Sequence, residues 1–355
     1  MKFKVALIAV GLSVGTCAWA QTKWDLATAY SATNFHTENI TQFAKDVDAA
    51  TGGQLKITVH ANASLFKAPE IKRAVQGGQA QAGEILLANY ENESPLFGAD
   101  GVPFLATSYK NAKSLSAAQK PILQRYLDKQ GLTLLYSVPW PAQGLFSKKE
   151  VDAMSDMRKI KWRAYSPATA KMGELMGAQS VTVQAAELSQ ALATGVVESF
   201  MTSSTTGVDS RVYEHIKNFY DVQAWLPKNA VLVNTKSFQA LDKSQQDAVL
   251  KAAAAAEERG WKLSQEKNDE AKKTLADKGM KVHQPSSKLV SDMRQLGWTM
   301  LQDWQKRAGP DGEAIVTAYL SAPSIAAAPA AAPAKAPATA TKPKPKPAAP
   351  KEVKQ

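Results

Sequence analysis

Residues 24–60 read WDLATAYSATNFHTENITQFAKDVDAATGGQLKITVH, and their pattern decides the fold. Trp24 to Tyr30 has a strand's composition, and Glu38 to Ala50 places Ile40, Phe43, Ala44 and Val47 on one helical face. Gly52-Gly53 closes that helix, and Gln54 to His60 alternates as a second strand. Strand, helix, strand in that order predicts a parallel sheet covered on both faces, an α/β fold.

The series continues with a helix near Pro69 to Gln76 and a strand near Gly83 to Leu87. A second half repeats it. Thr133 to Val138 and Lys159 to Tyr165 read as strands, followed by a helix from Ala168 to Leu175, a strand from Ser180 to Val183, a helix near Glu187 to Leu192 and a strand at Ser199 to Met201. Two α/β lobes with a cleft between them is the economical architecture. The expected boundaries are 21–145 with 236–275 for the first lobe, and 146–235 with 276–320 for the second. From Ser244 to Asp277 there is no proline, one glycine at Gly260 and a dense Ala/Glu/Lys/Gln composition, which favours one long helix over about 244–277. At a rise of about 1.5 Å per residue it spans roughly 50 Å, enough to straddle both lobes.

The two ends differ from this core. Lys2 and Lys4 precede an apolar run from Val5 to Val14, and Ala18-Trp19-Ala20 has the form of a cleavage site. Residues 1–20 are therefore expected to be a secretory signal peptide, cut after Ala20, with the mature chain in a bacterial periplasm. Cys17, the single cysteine, leaves with the leader, so neither a disulfide nor thiol chemistry is expected. From Ser321 to Gln355 Ala, Pro and Lys dominate, the composition of an extended, disordered, cationic tail. The formal charge of +11 is uneven: the leader lysines hold two of it, the tail nets +5, and the core keeps +4. No basic stripe interleaved with aromatics runs through the core, so nucleic acid is not an expected partner.

Catalytic equipment is sparse. The histidines at 36, 60, 215 and 283 include no helical i, i+4 pair, and there is no Cys/His cluster, phosphate-cradling glycine loop or Gly-x-Ser-x-Gly elbow. Glu257-Glu258 and Glu266 to Glu270 fall on the polar face of the long helix as ion-pair partners. No enzyme activity, cofactor or metal is expected.

Binding remains. In open α/β sheets ligands collect beyond the carboxyl ends of strands. The loops there are Tyr30 to Asn34, Asn62 to Phe66, Leu87 to Tyr90, Trp140 to Gly144, Arg163 to Ser166 and Phe200 to Thr205. Arg163, closing its strand, is the leading candidate, because a guanidinium fork donates two parallel hydrogen bonds to a carboxylate and keeps its charge. Trp140 and Trp225 are either core residues or flat walls with an indole donor. Tyr30, Phe66 and Tyr90, in first-lobe loops, carry the same two readings. Gln143, Ser203 and Asn229 suit a ligand's second group of oxygens.

The ordered set Gly52-Gly53-Gln54-Leu55-Lys56-Ile57, Ala61-Asn62-Ala63-Ser64-Leu65, Glu70 to Gly78 and Val102-Pro103-Phe104-Leu105 resembles the DctP family. These are the solute-binding proteins of tripartite ATP-independent periplasmic (TRAP) transporters. Lys159 to Tyr165, Met172 to Ala178 and Gln190 to Glu198 are similar to the family's arginine strand and the unit after it. The resemblance covers about residues 22–320. It implies a two-lobed type II periplasmic binding protein fold, Arg163 on a small organic acid's carboxylate, hinge closure, and delivery to a TRAP membrane permease driven by an ion gradient. C4-dicarboxylate and sialic-acid members commonly carry a second arginine in the segment matching Trp140 to Phe146, and this chain has none. A monocarboxylate with an apolar or aromatic body is therefore favoured. The alternatives keep the fold and change the output, to a periplasmic sensor docking to a signalling receptor or to an exported enzyme. A monomer is expected, with Trp261, Trp298, Leu301 and Trp304 serving either intrachain packing or a dimer face.

Overall fold

The computed structural model describes residues 21–326; the expected signal peptide, 1–20, and most of the expected tail, 327–355, lie outside the described residues. The chain first lays down β1 (Thr22–Ala27), α1 (Phe35–Ala50), β2 (Leu55–His60), α2 (Ile71–Gln76), β3 (Ala82–Leu86), α3 (Tyr109–Asp128) and β4 (Leu132–Pro139). It then crosses over and builds β5 (Gly144–Ser147), β6 (Lys161–Ala164), α4 (Pro167–Leu175), β7 (Gln179–Thr182), α5 (Leu188–Ala193), β8 (Ser199–Thr202), α6 (Ser204–Asp209) and β9 (Asn218–Tyr220). Finally it returns through β10 (Lys228–Asn234), α7 (Thr235–Gln239), α8 (Lys243–Asp277), β11 (Lys281–His283), α9 (Ser287–Leu320) and α10 (Pro323–Ala326).

Two sheets result, ordered β2-β1-β3-β10-β4 and β11-β9-β5-β8-β6-β7. β1 pairs parallel with β2 and β3, as strand–helix–strand units require, and places Trp24 beside Ile57. β10 runs antiparallel to both β3 and β4, and β5 antiparallel to β8 and β9. The expectation of an all-parallel sheet is thus corrected. Strands that arrive from the other lobe enter from the opposite end and run against their neighbours. The expected boundary at 235 is corrected too: β10 belongs to the first sheet, so the chain has returned by Lys228.

The crossover segments pair with each other. Trp140 N–H donates to the Pro227 carbonyl at 2.8 Å, Gln143 N–H to Trp225 at 2.8 Å, and Ala224 N–H to Gln143 at 3.0 Å. This two-stranded join is the floor of the cleft.

The long helix is α8, 35 residues, opened by a capping box in which Asp242 accepts the Gln245 N–H. Val249, Ala252, Ala253 and Ala256 sit in the first lobe's core and Leu275 in the second's, so it spans both. A second helix spans them as well. In α9, Leu289, Met293, Leu296 and Met300 fill the second lobe's core, while Trp304, Ile315 and Tyr319 pack with Leu115 and Ile122 of α3. Placing 276–320 wholly in the second lobe is corrected accordingly. A kink at Gly309, φ 57° and ψ −144°, with Pro310 after it, turns α9 onto α3. Trp304 is buried with its indole on the Pro95 carbonyl, Trp261 donates to Ser137, Leu301 is partly buried, and Trp298 stays exposed. Within the tail expected from Ser321, residues 323–326 are helical and Ile325 packs on the α3–α9 core. Among the described residues no helix is long and apolar enough to cross a membrane.

Candidate functional site

The loops after β1, β2, β3, β4, β6, β7 and β8 converge on one cavity of about 450 Å³ between the sheets. Both lobes contribute to its wall. Ala29, Tyr30, Asn62 and Asn89 come from the first, Tyr165, Gln184, Thr202 and Ser203 from the second, and Trp140, Gln143 and Pro227 from the crossover floor.

Arg163 reaches this cavity because β6 alternates. Trp162 turns into the second lobe's core, where its indole donates to the Thr169 carbonyl at 2.9 Å, and Arg163 turns the other way. Its Nε donates to the Val183 carbonyl at 2.9 Å, and its guanidinium lies over the Tyr165 ring, 5.1 Å from the centroid. The residue is 2 % exposed, yet Nη1 has no partner. Among the described residues Arg163 forms no ion pair. Burial pushes its guanidinium down to about 10, opposed by the phenols of Tyr165 and Tyr30, so it stays charged at neutral pH. An unpaired buried charge is costly, and a carboxylate supplied from outside would compensate it.

Opposite Arg163 stands an aromatic wall. The Trp140 indole lies 5.0 Å from the Tyr30 ring and 4.3 Å from His36, with Phe35 edge-on at 5.5 Å. Its Nε1 donates to Asn229 Oδ1 at 2.8 Å, and the Tyr30 hydroxyl reaches the same oxygen at 3.5 Å. Asn229 Nδ2 in turn donates to Glu84 Oε1 at 2.9 Å, and the Thr28 hydroxyl to Glu84 Oε2 at 2.5 Å. Asn229 therefore stands behind the wall and fixes its two rings.

Glu84 is 2 % exposed, and burial raises its carboxyl to about 7 against the hydrogen bonds of Thr28 and Asn229. Burial also holds the neighbouring His36 well below its usual value, hence neutral. The sign follows. A folded-state acid titrating above its usual 4.5 holds a proton that the unfolded chain has lost, so stability falls as pH rises from 4.5 to about 7 and is flat beyond. Glu84→Gln removes this dependence. Its unfolding free energy relative to wild type is expected to climb across that window by an amount on the order of 3 kcal/mol, read by calorimetry at several pH values.

The remaining candidates divide. Gln143 lines the cavity, but its amide is already engaged, accepting from the Tyr165 hydroxyl at 3.2 Å and donating to Pro141 at 3.0 Å. Ser203 lines it too, while capping α6 through the Thr206 N–H at 3.1 Å. Phe66, Tyr90 and Trp225 are corrected, since none of them lines the cavity. Phe66 packs on the first lobe's core, Tyr90 donates to the Ala68 carbonyl within it, and Trp225 lies in the second lobe's core. Tyr90 and Trp225 are buried and Phe66 partly so, each held by packing against core side chains distant in sequence.

Sequence reasoning missed Asn89, Tyr165 and the Gln184–Glu187 turn. Asn89 Oδ1 is buried with no partner, an acceptor facing a ligand space that already holds a donor in Arg163. Both Asn89 and Tyr165 fall within loops singled out above, and the turn after β7 obeys the same strand-end rule.

Residues 26–307 match the model of the bacterial extracellular solute-binding protein family 7, DctP. The chain superposes with a TM-score of 0.83 on DctP6, a Bordetella pertussis extracytoplasmic solute receptor binding pyroglutamic acid. The two are 60% identical, over 84% of this chain and 99% of that one. DctP7 of the same organism, also binding pyroglutamic acid, is 44% identical, with the same TM-score and coverage. A marine metagenome TRAP solute-binding protein specific for pyroglutamate is likewise 44% identical over 84% and 99%, at a TM-score of 0.83. A cleft between two α/β lobes, a buried arginine facing it and a family match across most of the chain lead to one conclusion: this protein belongs to the DctP family, the carboxylate-binding periplasmic solute receptors of TRAP transporters.

Proposed function

We propose that this protein captures L-pyroglutamate, or a small cyclic monocarboxylate much like it, and hands it to a TRAP membrane permease. The observation carrying the ligand class is Arg163, a buried guanidinium in the cavity that forms no ion pair among the described residues and whose Nη1 has no partner. The ligand's carboxylate takes the guanidinium fork. Its ring lies against Trp140 and Tyr30, and the ring N–H meets the free Asn89 oxygen. Binding at both lobes favours the closed arrangement, because only there are all these contacts made at once. No bond is broken, and the complex is the product. Residues 1–20 act as the cleaved export signal, and the mature chain works as a monomer. The 60% identity to a pyroglutamic acid receptor supports the choice of ligand.

Thermal-shift screening of the mature protein against organic acids tests this. A ligand at a hundred times its Kd stabilises the folded state by about 2.7 kcal/mol, so L-pyroglutamate is expected to give a shift of several degrees. Sugars or cationic amino acids as the only hits would contradict the proposal.

A further inference from the structure

A side-chain hydrogen bond joins the lobes directly, away from both the cavity and the crossover segments. Asn34, in the loop after β1, donates from Nδ2 to Asp209 Oδ2 at 2.7 Å. Asp209 closes α6 and belongs to the second lobe, whose Gly207 packs under Phe146. The orientation of the Asn34 amide is fixed by its other half. Oδ1 accepts the His36 N–H at 2.9 Å as the N-cap of α1, so only the NH₂ can face Asp209. Asn34 is buried whereas Asp209 stays exposed, placing the bond at the rim. Neither residue lines the ligand cavity.

The geometry points to Asn34–Asp209 as an interlobe latch, a pair that sets ligand affinity by holding the lobes together without touching the ligand. This rests on the reading of the cavity as a receptor for L-pyroglutamate. A latch of this kind stabilises only the arrangement in which both lobes meet, so it adds to affinity by the amount it favours closure and acts mainly on dissociation. It differs from a structural hydrogen bond in one respect. Its loss should leave each lobe intact.

Asn34→Asp separates the two roles. Aspartate caps α1 as well as asparagine does, and its charge suits a helix N-terminus, so folding is preserved. Across the cleft, however, the donor becomes a carboxylate facing a carboxylate. The reciprocal double variant, Asn34→Asp with Asp209→Asn, restores a donor and acceptor in reversed order.

L-pyroglutamate binding is measured by calorimetry and stopped flow for wild type, Asn34→Asp and the double variant. Asn34→Asp is expected to bind about tenfold more weakly, through faster dissociation, with an unchanged ligand-free melting temperature. The double variant is expected to recover most of that loss. Unchanged affinity in Asn34→Asp, or a double variant as weak as the single one, overturns the latch. Failure of wild type itself to bind L-pyroglutamate overturns the ligand reading instead. The latch is then read by small-angle scattering of the ligand-free proteins, where Asn34→Asp should have the larger radius of gyration and the double variant the wild-type one. Equal radii for all three overturn it.

Discussion

Arg163→Lys is expected to weaken L-pyroglutamate binding by about a hundredfold, although the charge is kept. A charge-assisted hydrogen bond contributes roughly 1.5–3 kcal/mol, and the low-dielectric cavity pushes this toward the upper end. Lysine cannot reproduce a planar fork that meets a carboxylate with two parallel bonds. It also abandons the Val183 carbonyl, which Arg163 Nε now satisfies at 2.9 Å and which holds the guanidinium at its angle. A companion variant gives the opposite sign in a second assay. Arg163→Met should bind no L-pyroglutamate, yet melt a few degrees above wild type without ligand, because an uncompensated buried cation is replaced by an apolar chain of similar reach. A residue kept for stability would lower both readings together, whereas one kept for function moves them apart.

The second large effect concerns the frame that holds the cavity. Gly260→Val is expected to lower stability by about 3 kcal/mol, seen as a drop of several degrees in melting temperature. At Gly260 the long helix α8 passes so close to β4 and α1 that an added Cβ would lie 2.4 Å from Val138 Cγ2 and 2.8 Å from Asn39 Nδ2. Neither neighbour can move freely. Val138 is a stiff β-branched residue inside a sheet, two positions before the cavity's Trp140. Asn39 is pinned between the Ala256 carbonyl at 2.9 Å and Arg259 Nε at 2.7 Å. Ala254→Val, on the exposed face of the same helix, is the control. It introduces the same β-branched side chain at a propensity cost of about 0.5 kcal/mol and without the clash, whereas propensity alone would make valine slightly better than glycine at 260. Equal losses at the two positions would show that close approach does not matter at Gly260.

Much of this frame was legible in the sequence, for identifiable reasons. The segments 24–30, 38–50 and 54–60 have clean periodicities, and the uninterrupted composition of 244–277 marks α8 to within a residue at its start. What stayed hidden depended on contacts distant in sequence. β10 is a fully buried run whose direction is set by where the chain returns from, which no local pattern encodes. The second half of α9 looks like a boundary because of Gly309-Pro310, and only the fold shows that the kink redirects the helix onto α3. In the cavity, the strand-end rule found the right loops but could not rank residues within them. Tyr90 and Asn89 are adjacent, and the sequence favoured the larger aromatic. The structure turns Tyr90 into the core and leaves the asparagine oxygen in the cavity.

The central claim is that a ligand's single carboxylate completes the buried charge of Arg163. Calorimetry with L-pyroglutamate and with 2-pyrrolidinone, the same ring without its carboxylate, tests it most directly. L-pyroglutamate is expected to bind with a micromolar or tighter Kd and 2-pyrrolidinone to give no measurable heat of binding. Binding of 2-pyrrolidinone within about tenfold of L-pyroglutamate, a difference below about 1.4 kcal/mol, would contradict the account.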